Sequence, residues 1–296
     1  MRISKAIIGL AAACLLLPIS AGADTAVNIT SITATTNAAG GLSVLVRPTF
    51  EGNTAEVGID TSDTPTANVP GVNLKSASIT PLNATTLRFT IALENGIEQG
   101  DLWGFPEAYH YQWDVLVTQG STTSESTIQA LRTSQYHGAG TTDPAFNVNT
   151  CVTNETTGQG ECTGTTVSGA FTANGIDIDV PLSVLAAKPG AVLSQGEFGI
   201  VSTLGASGAL WFNNVGGDQM VNLASYTVPV PSVTVGIAPA GTPDEEVSQE
   251  YTTTTTSTFK NFTAQLPAQA SGTYRIVARA CYEEACAISG IDHVVP

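Results

Sequence analysis

The densest grouping of side chains able to do chemistry is Trp103-Gly-Phe105, followed by Glu107-Ala-Tyr-His-Tyr-Gln-Trp-Asp114. Side chains on an extended strand alternate between faces, so Tyr109, Tyr111 and Trp113 share one side with Val115 and Val117, and His110, Gln112 and Asp114 share the other. Two readings of this pattern are open. In the first, the aromatic row fills a core and the polar row is a solvated face. In the second, Trp103, Phe105, His110, Gln112 and Asp114 form a saccharide site, with rings stacking on sugar faces and polar groups bonding hydroxyls. Trp211-Phe-Asn-Asn214 offers a second, weaker platform of the same kind.

Other chemistries have less behind them. His110 and Asp114 with His137 could ligate zinc or copper, which imidazole and carboxylate suit, but no fixed metal-ligand spacing joins them. An axial haem pair would need His110 or His137 with Met220, and nothing in the sequence brings these together. Asp60-Thr-Ser-Asp63 and the pair Asp177 and Asp179 offer oxygen ligands for calcium without matching a calcium loop. Two carboxylates also define a glycosidase, but only their spatial separation would make them one. The chain has 3 histidines, and His293, near the C-terminus, reads as a surface residue. It carries no Gly-x-Ser-x-Gly elbow, no His-Glu-x-x-His and no Gly-x-x-x-x-Gly-Lys, and no residue is assigned a catalytic role.

The ends and the composition narrow the setting of these residues. Arg2 and Lys5 precede an apolar run from Ala6 to Ser20, and Ala21-Gly-Ala23 supplies small residues for cleavage before Asp24, the pattern of a secretory signal over 1–23. The run is shorter than the roughly 20 residues of a bilayer span, and Pro18 interrupts its end. Cys14, with Ala11-Ala-Ala13 before it, is the minor alternative of a lipid acceptor. Removing the signal leaves 8 basic residues against 25 acidic ones, a balance of −17. That excess argues against a nucleic-acid partner, which needs clustered Lys and Arg. Four cysteines remain, Cys151, Cys162, Cys281 and Cys286. Of their three possible pairings the sequence-local one, Cys151 with Cys162 and Cys281 with Cys286, fits an exported chain best, each bond closing a short loop. Sequons at Asn28, Asn83, Asn154 and Asn261 matter only in a host that glycosylates.

These residues must be positioned by strands, because almost every periodic stretch after Asp24 has a two-residue period. Val27–Thr36 and Leu42–Phe50 read as a hairpin around Asn37-Ala-Ala-Gly-Gly41. Further strands are expected at Glu56–Asp60, Ser76–Ile79, Thr86–Leu93, Tyr109–Thr118 and Ser126–Arg132. Val167–Phe171 and Ile176–Val180 form a second hairpin, with Ile176, Ile178 and Val180 toward the core and Asp177 and Asp179 toward water. Pro181–Gly190 is the one helical turn expected, opened by a proline and closed by Pro-Gly. Strands resume at Phe198–Thr203, Leu210–Asn213 and Leu223–Val228. Val228-Pro-Val-Pro-Ser232 then breaks the pattern. The expected organisation is an all-β chain, with a large antiparallel sandwich at 24–228 and a small one at 229–296.

The order of pieces from Tyr109 to Leu193 resembles a secreted bacterial and archaeal jelly-roll module related to DOMON and carbohydrate-binding sandwiches. The matching pieces are Tyr109–Val115, the Cys151 to Cys162 loop, Val167–Phe171, Ile176–Val180 and Pro181–Gly190. Ser271-Gly-Thr-Tyr-Arg-Ile-Val277 looks like the penultimate strand of an immunoglobulin-like or fibronectin-like domain. The resemblance implies one jelly-roll-like sandwich followed by an immunoglobulin-like one, and fixes no ligand. The function expected is an exported, non-catalytic binding or surface module for a saccharide or cell-surface polymer. The competing class is a structural or adhesive protein that self-associates through strand edges, the Thr-rich run at 252–258 supplying one. A secreted glycoside hydrolase is the remote third.

Overall fold

The computed structural model describes residues 25–60, 72–94, 107–133, 145–153, 160–206, 214–256 and 258–296. The chain opens with β1 (Ala26–Thr36), β2 (Leu42–Glu51), β3 (Ala55–Ile59), β4 (Leu74–Asn83) and β5 (Thr86–Leu93). Next come β6 (Glu107–Gln119), β7 (Thr122–Thr133), β8 (Ala145–Thr153), β9 (Gly160–Thr166), β10 (Ser168–Thr172) and β11 (Gly175–Pro181). β12 (Val192–Ala206), β13 (Asn214–Met220), β14 (Tyr226–Thr227) and β15 (Ser232–Pro239) follow. The last are β16 (Glu250–Thr252), β17 (Thr254–Thr255), β18 (Phe262–Leu266), β19 (Gly272–Tyr282) and β20 (Ala285–Val295). The only helical element among the described residues is a 3-10 turn at Asp244–Glu246. The all-β expectation holds, and the strand pairings are antiparallel.

Alternation explains why these segments are strands. In β5, Leu87, Phe89, Ile91 and Leu93 are buried while Arg88 and Thr90 face outward, the period of a strand with one face on a core. One sandwich stacks the sheet β10-β11-β5-β4-β3 on the sheet β13-β12-β6-β7-β8-β9, to which β14 adds along β12. Its core joins Phe89, Ile91, Ile176 and Ile178 to Tyr111, Trp113, Val115 and Ile128. Phe89 meets Trp113 edge-on with centroids 5.0 Å apart, the geometry the ring quadrupoles prefer. The second sandwich combines β1-β2-β18-β17 with β16-β15-β19-β20. Its separate core joins Leu42, Val44, Val46 and Phe50 to Val235, Phe262, Ile276 and Tyr282.

The division of the chain differs from the expected 24–228 and 229–296. The hairpin β1-β2 belongs to the second sandwich, where β2 pairs with β18, Val46 opposite Phe262 and Leu42 opposite Leu266. The first sandwich is therefore inserted between the first hairpin of the second and the rest of it. The alternating Leu42, Val44 and Val46 would suit either core; long-range pairing chooses between them, and local pattern carries no trace of that choice. The two bodies touch where Gly52 N–H donates to Pro81 O at 2.9 Å. Beside that bond Ala84, in the β4–β5 turn, is buried in the second core.

Two further expectations change. The Cys151 to Cys162 region contains two paired strands, β8 and β9, running in register from Asn147 opposite Thr166 to Thr153 opposite Gly160. Thr, Asn and Gly on its exposed edge dilute the hydrophobic signal that marks a strand. Pro181–Gly190 is a run of turns with no α-helix: Val184, Leu185 and Ala186 donate to carbonyls three residues back, and Ala186 has φ 53°. Leu182, Leu185 and Ala187 are buried and close one end of the first sandwich. Buried Ser124 and Thr150 donate to Leu185 O and Val184 O across that end, satisfying carbonyls the turns leave exposed.

Both expected disulfides are present, and both cross paired strands. Cys151 bonds Cys162 between β8 and β9, and Cys281 bonds Cys286 between β19 and β20. Among the described residues no helix is long and apolar enough to cross a membrane.

Candidate functional site

His110, Gln112 and Asp114 fall on β6, held between β12 and β7. Tyr109, Tyr111, Trp113, Val115 and Val117 all point into the first core, so the aromatic row is core packing. His110, Gln112 and Asp114 lie on the opposite, outer face. Trp103, Phe105, His137 and 211–213 lie outside the described residues.

The polar row is not a uniformly solvated face, because Asp114 is only 2% exposed. The cause is an irregularity in β12 between Gln195 and Ile200. There the backbone at Gly196 lies against Asp114, close enough that a Cβ would stand 2.8 Å from the Asp114 Cβ. Glycine is needed at that point of contact. Gln112 Nε2 donates to both carboxylate oxygens of Asp114, at 3.0 and 3.1 Å, which compensates part of the cost of burying them. Burial also holds the His110 imidazole below its ordinary pKa of 6.5, against the opposing pull of the Asp114 charge. The neutral ring can both donate and accept a hydrogen bond at pH 7.

The registers extend this row across the sheet. Gln112 lies opposite Gln129 on β7, Gln129 opposite Asn147 on β8, and Asn147 opposite Thr166 on β9. One step along, Asp114 aligns with Thr127, and Thr127 with Asn149. Thr166 Oγ1 donates to Asn147 Oδ1 at 3.2 Å, and Asn149 Nδ2 to Gln129 Oε1 at 3.5 Å. Primary amides and hydroxyls therefore run across four neighbouring strands, about 4.8 Å apart from strand to strand. Each amide presents both a donor and an acceptor. A row of this kind can bond a chain of hydroxyl groups.

Gln129, Asn147 and Thr166 were not singled out in the sequence. The signal for Asn147 was nevertheless there: Phe146, Val148 and Thr150 alternate inward while Asn147 and Asn149 alternate outward, a two-residue period hidden by reading the cysteines as a loop.

Of the acidic residues considered for calcium or hydrolysis, Asp63 lies outside the described residues, and Asp177 and Asp179 are engaged by their neighbours on β5. Asp179 accepts from Arg88 Nε at 2.7 Å and from Nη2 at 3.0 Å, and Asp177 accepts from Thr90 at 2.7 Å. Asp218, unmarked in the sequence, is buried and accepts from the N–H groups of Leu74 and Gln219. Burial pushes its carboxyl above the usual carboxylate range, and the neighbouring Asp60 pushes it further. Met220 is buried in the first core, with its sulfur near Gly58. Among the described residues no three His, Cys, Asp or Glu side chains gather as a metal would require.

The fold and this outer face define a double β-sandwich with an amide-rich sheet surface. Compared with protein-family models, with curated proteins and with solved structures, the chain matches none.

Proposed function

We propose that this chain is an exported, non-catalytic binding or surface module whose ligand is a saccharide or cell-surface polymer. One observation carries the reading: Gln112, Gln129, Asn147 and Thr166 stand in register across four strands of one outer face. Saccharides present rows of hydroxyls that both donate and accept, and amide side chains answer both roles. The row offers hydrogen-bonding groups with no positioned nucleophile or acid–base pair, so the reading assigns it recognition. Two disulfides support export, because such bonds persist in oxidising compartments. In this reading stacking falls to Trp103 and Phe105, which precede β6 in the chain.

The test is retention of the mature protein on a glycan array and on immobilised cell-wall polysaccharide. The double variant Gln129→Ala/Asn147→Ala should weaken binding at least tenfold, about 1.4 kcal/mol, while leaving the unfolding temperature near wild type. Trp103→Ala should weaken binding to a similar degree without loss of stability. A wild-type protein that holds no glycan, or a double variant that binds as well as the parent, would reject the reading.

A further inference from the structure

The edges of the two sandwiches are managed unequally. In the first, Ala224 N–H donates to Val57 O at 2.7 Å, so the segment after β13 covers the outer edge of β3. In the second, β1 and β20 lie side by side and are tied by Thr36 Oγ1 and His293 Nε2 at 2.8 Å. The remaining sides end in chains that change sheets midway. One does so at Thr253, between β16 and β17, which are only three and two residues long. The other does so at Val167, between β9 and β10. β9 is the longer of these exposed edges, pairing over seven residues with β8 and ending its sheet.

The direction of its backbone groups follows from the disulfide's position. The Cα atoms of Cys151 and Cys162 are 4.0 Å apart, matching the close spacing of a non-hydrogen-bonded antiparallel pair and not the ~5.5 Å of a bonded one. Cys162 therefore turns its N–H and C=O away from β8, and by alternation Gly164 and Thr166 do the same. Six outward backbone groups form a template for another strand. The usual protections are missing: β9 has no Lys, Pro or bulge, and Glu161 is its single charge. Glu161 to Gly164 are all exposed.

We propose that β9 is a homodimer interface, with two copies pairing antiparallel through this edge and Gly164 facing Gly164 on a two-fold axis. In that register Cys162 and the second copy's Thr166 exchange hydrogen bonds, as do the two Gly164 residues and the mirrored pair. Thr163 lies opposite the second copy's Thr165. Glu161 lies opposite the second copy's Val167, which puts the two carboxylates about 20 Å apart along the strands. The edge is thus self-complementary: small, uncharged residues meet one another, and one surface serves both partners, as a closed two-fold contact requires. An identical copy fits because no like charges meet. The pairing would also join the two outer faces into one sheet surface, on which the row Gln129, Asn147 and Thr166 and its counterpart lie about 14 Å apart along the strands. The proposal stands independently of what that face binds.

Sedimentation equilibrium of the mature chain tests it. A monomer–dimer equilibrium is expected, tightening with salt because screening relieves the repulsion between two strongly acidic copies. The amides of Cys162, Gly164 and Thr166 should gain hydrogen-exchange protection as concentration rises. Thr163→Lys/Thr165→Lys sets like charges opposite one another and should weaken the dimer at least tenfold with the circular dichroism unchanged. Should that variant fold poorly, Gly164→Pro removes an outward N–H without touching the bonds to β8, and the same weakening is expected. A chain that stays monomeric at every concentration and salt, or a dimer that neither variant weakens, overturns the proposal.

Discussion

Thr36 and His293, 257 residues apart in sequence, are joined by a 2.8 Å hydrogen bond between Oγ1 and Nε2. The bond closes the second sandwich with the first described strand against the last. His293, a surface residue by its place in the sequence, is half-buried as a result. Residues 229–296 therefore lack two strands of their own fold, and with them the buried Leu42, Val44, Val46 and Phe50. Expressed alone, 229–296 should show no cooperative thermal transition by circular dichroism. Residues 25–52 joined to 229–296 by a flexible linker should recover one. In the full chain Phe50→Ala should cost about 3–5 kcal/mol, the scale for a buried aromatic. A stably folded 229–296 would contradict this assembly.

Gln112 and Gln129 are neighbours in one row, but their substitutions should separate. Gln112→Ala removes the side chain that bonds both oxygens of buried Asp114 and should destabilise by about 1–3 kcal/mol, the penalty for a buried polar group that loses its partner. Gln129→Ala, on a half-exposed position, should stay within about 0.5 kcal/mol. Chemical denaturation of the two variants checks the difference, and equal losses would mean that Asp114 is held by other contacts.

Protonation of His110 should oppose folding. Its folded pKa is depressed by burial, so as pH falls through the unfolded value the unfolded chain takes up the proton first. Stability from this group is complete above about pH 6.5 and declines below it, toward the folded pKa. Unfolding temperatures measured between about pH 5 and 8 should fall less steeply for His110→Gln than for wild type on the acid side. Parallel curves would mean that the ring titrates as it does in water.

Arg88 lies between Asp177 and Asp179 on the outer face of the other sheet, its guanidinium pKa raised chiefly by the hydrogen bond to Asp179. Its side chain is 38% exposed, so solvent screens the ion pairs. Arg88→Ala should cost no more than about 1 kcal/mol, and the loss should shrink in high salt. A loss of several kcal/mol that ignores salt would show that the pair behaves as a buried one.

The two-residue alternation in Thr86–Leu93 and Ile176–Val180 was legible because each strand has one buried face, which stamps its period on the sequence. The same rule divided β6 correctly, sending Tyr109, Tyr111 and Trp113 to the core and His110, Gln112 and Asp114 outward. Both disulfides were legible because each joins residues close in the chain. Where that stamp is faint, as in the Thr- and Gly-rich β9, the strand went unread.

Tertiary structure alone decided three things. It sent the first hairpin to β18 rather than to its sequence neighbours, because an alternating apolar strand fits any matching edge and only the assembled sheets select one. It buried Asp114 beneath the irregular turn of β12, since exposure depends on what another strand lays over a residue. It also aligned Gln112, Gln129, Asn147 and Thr166, because register belongs to pairs of strands and is written in neither strand alone.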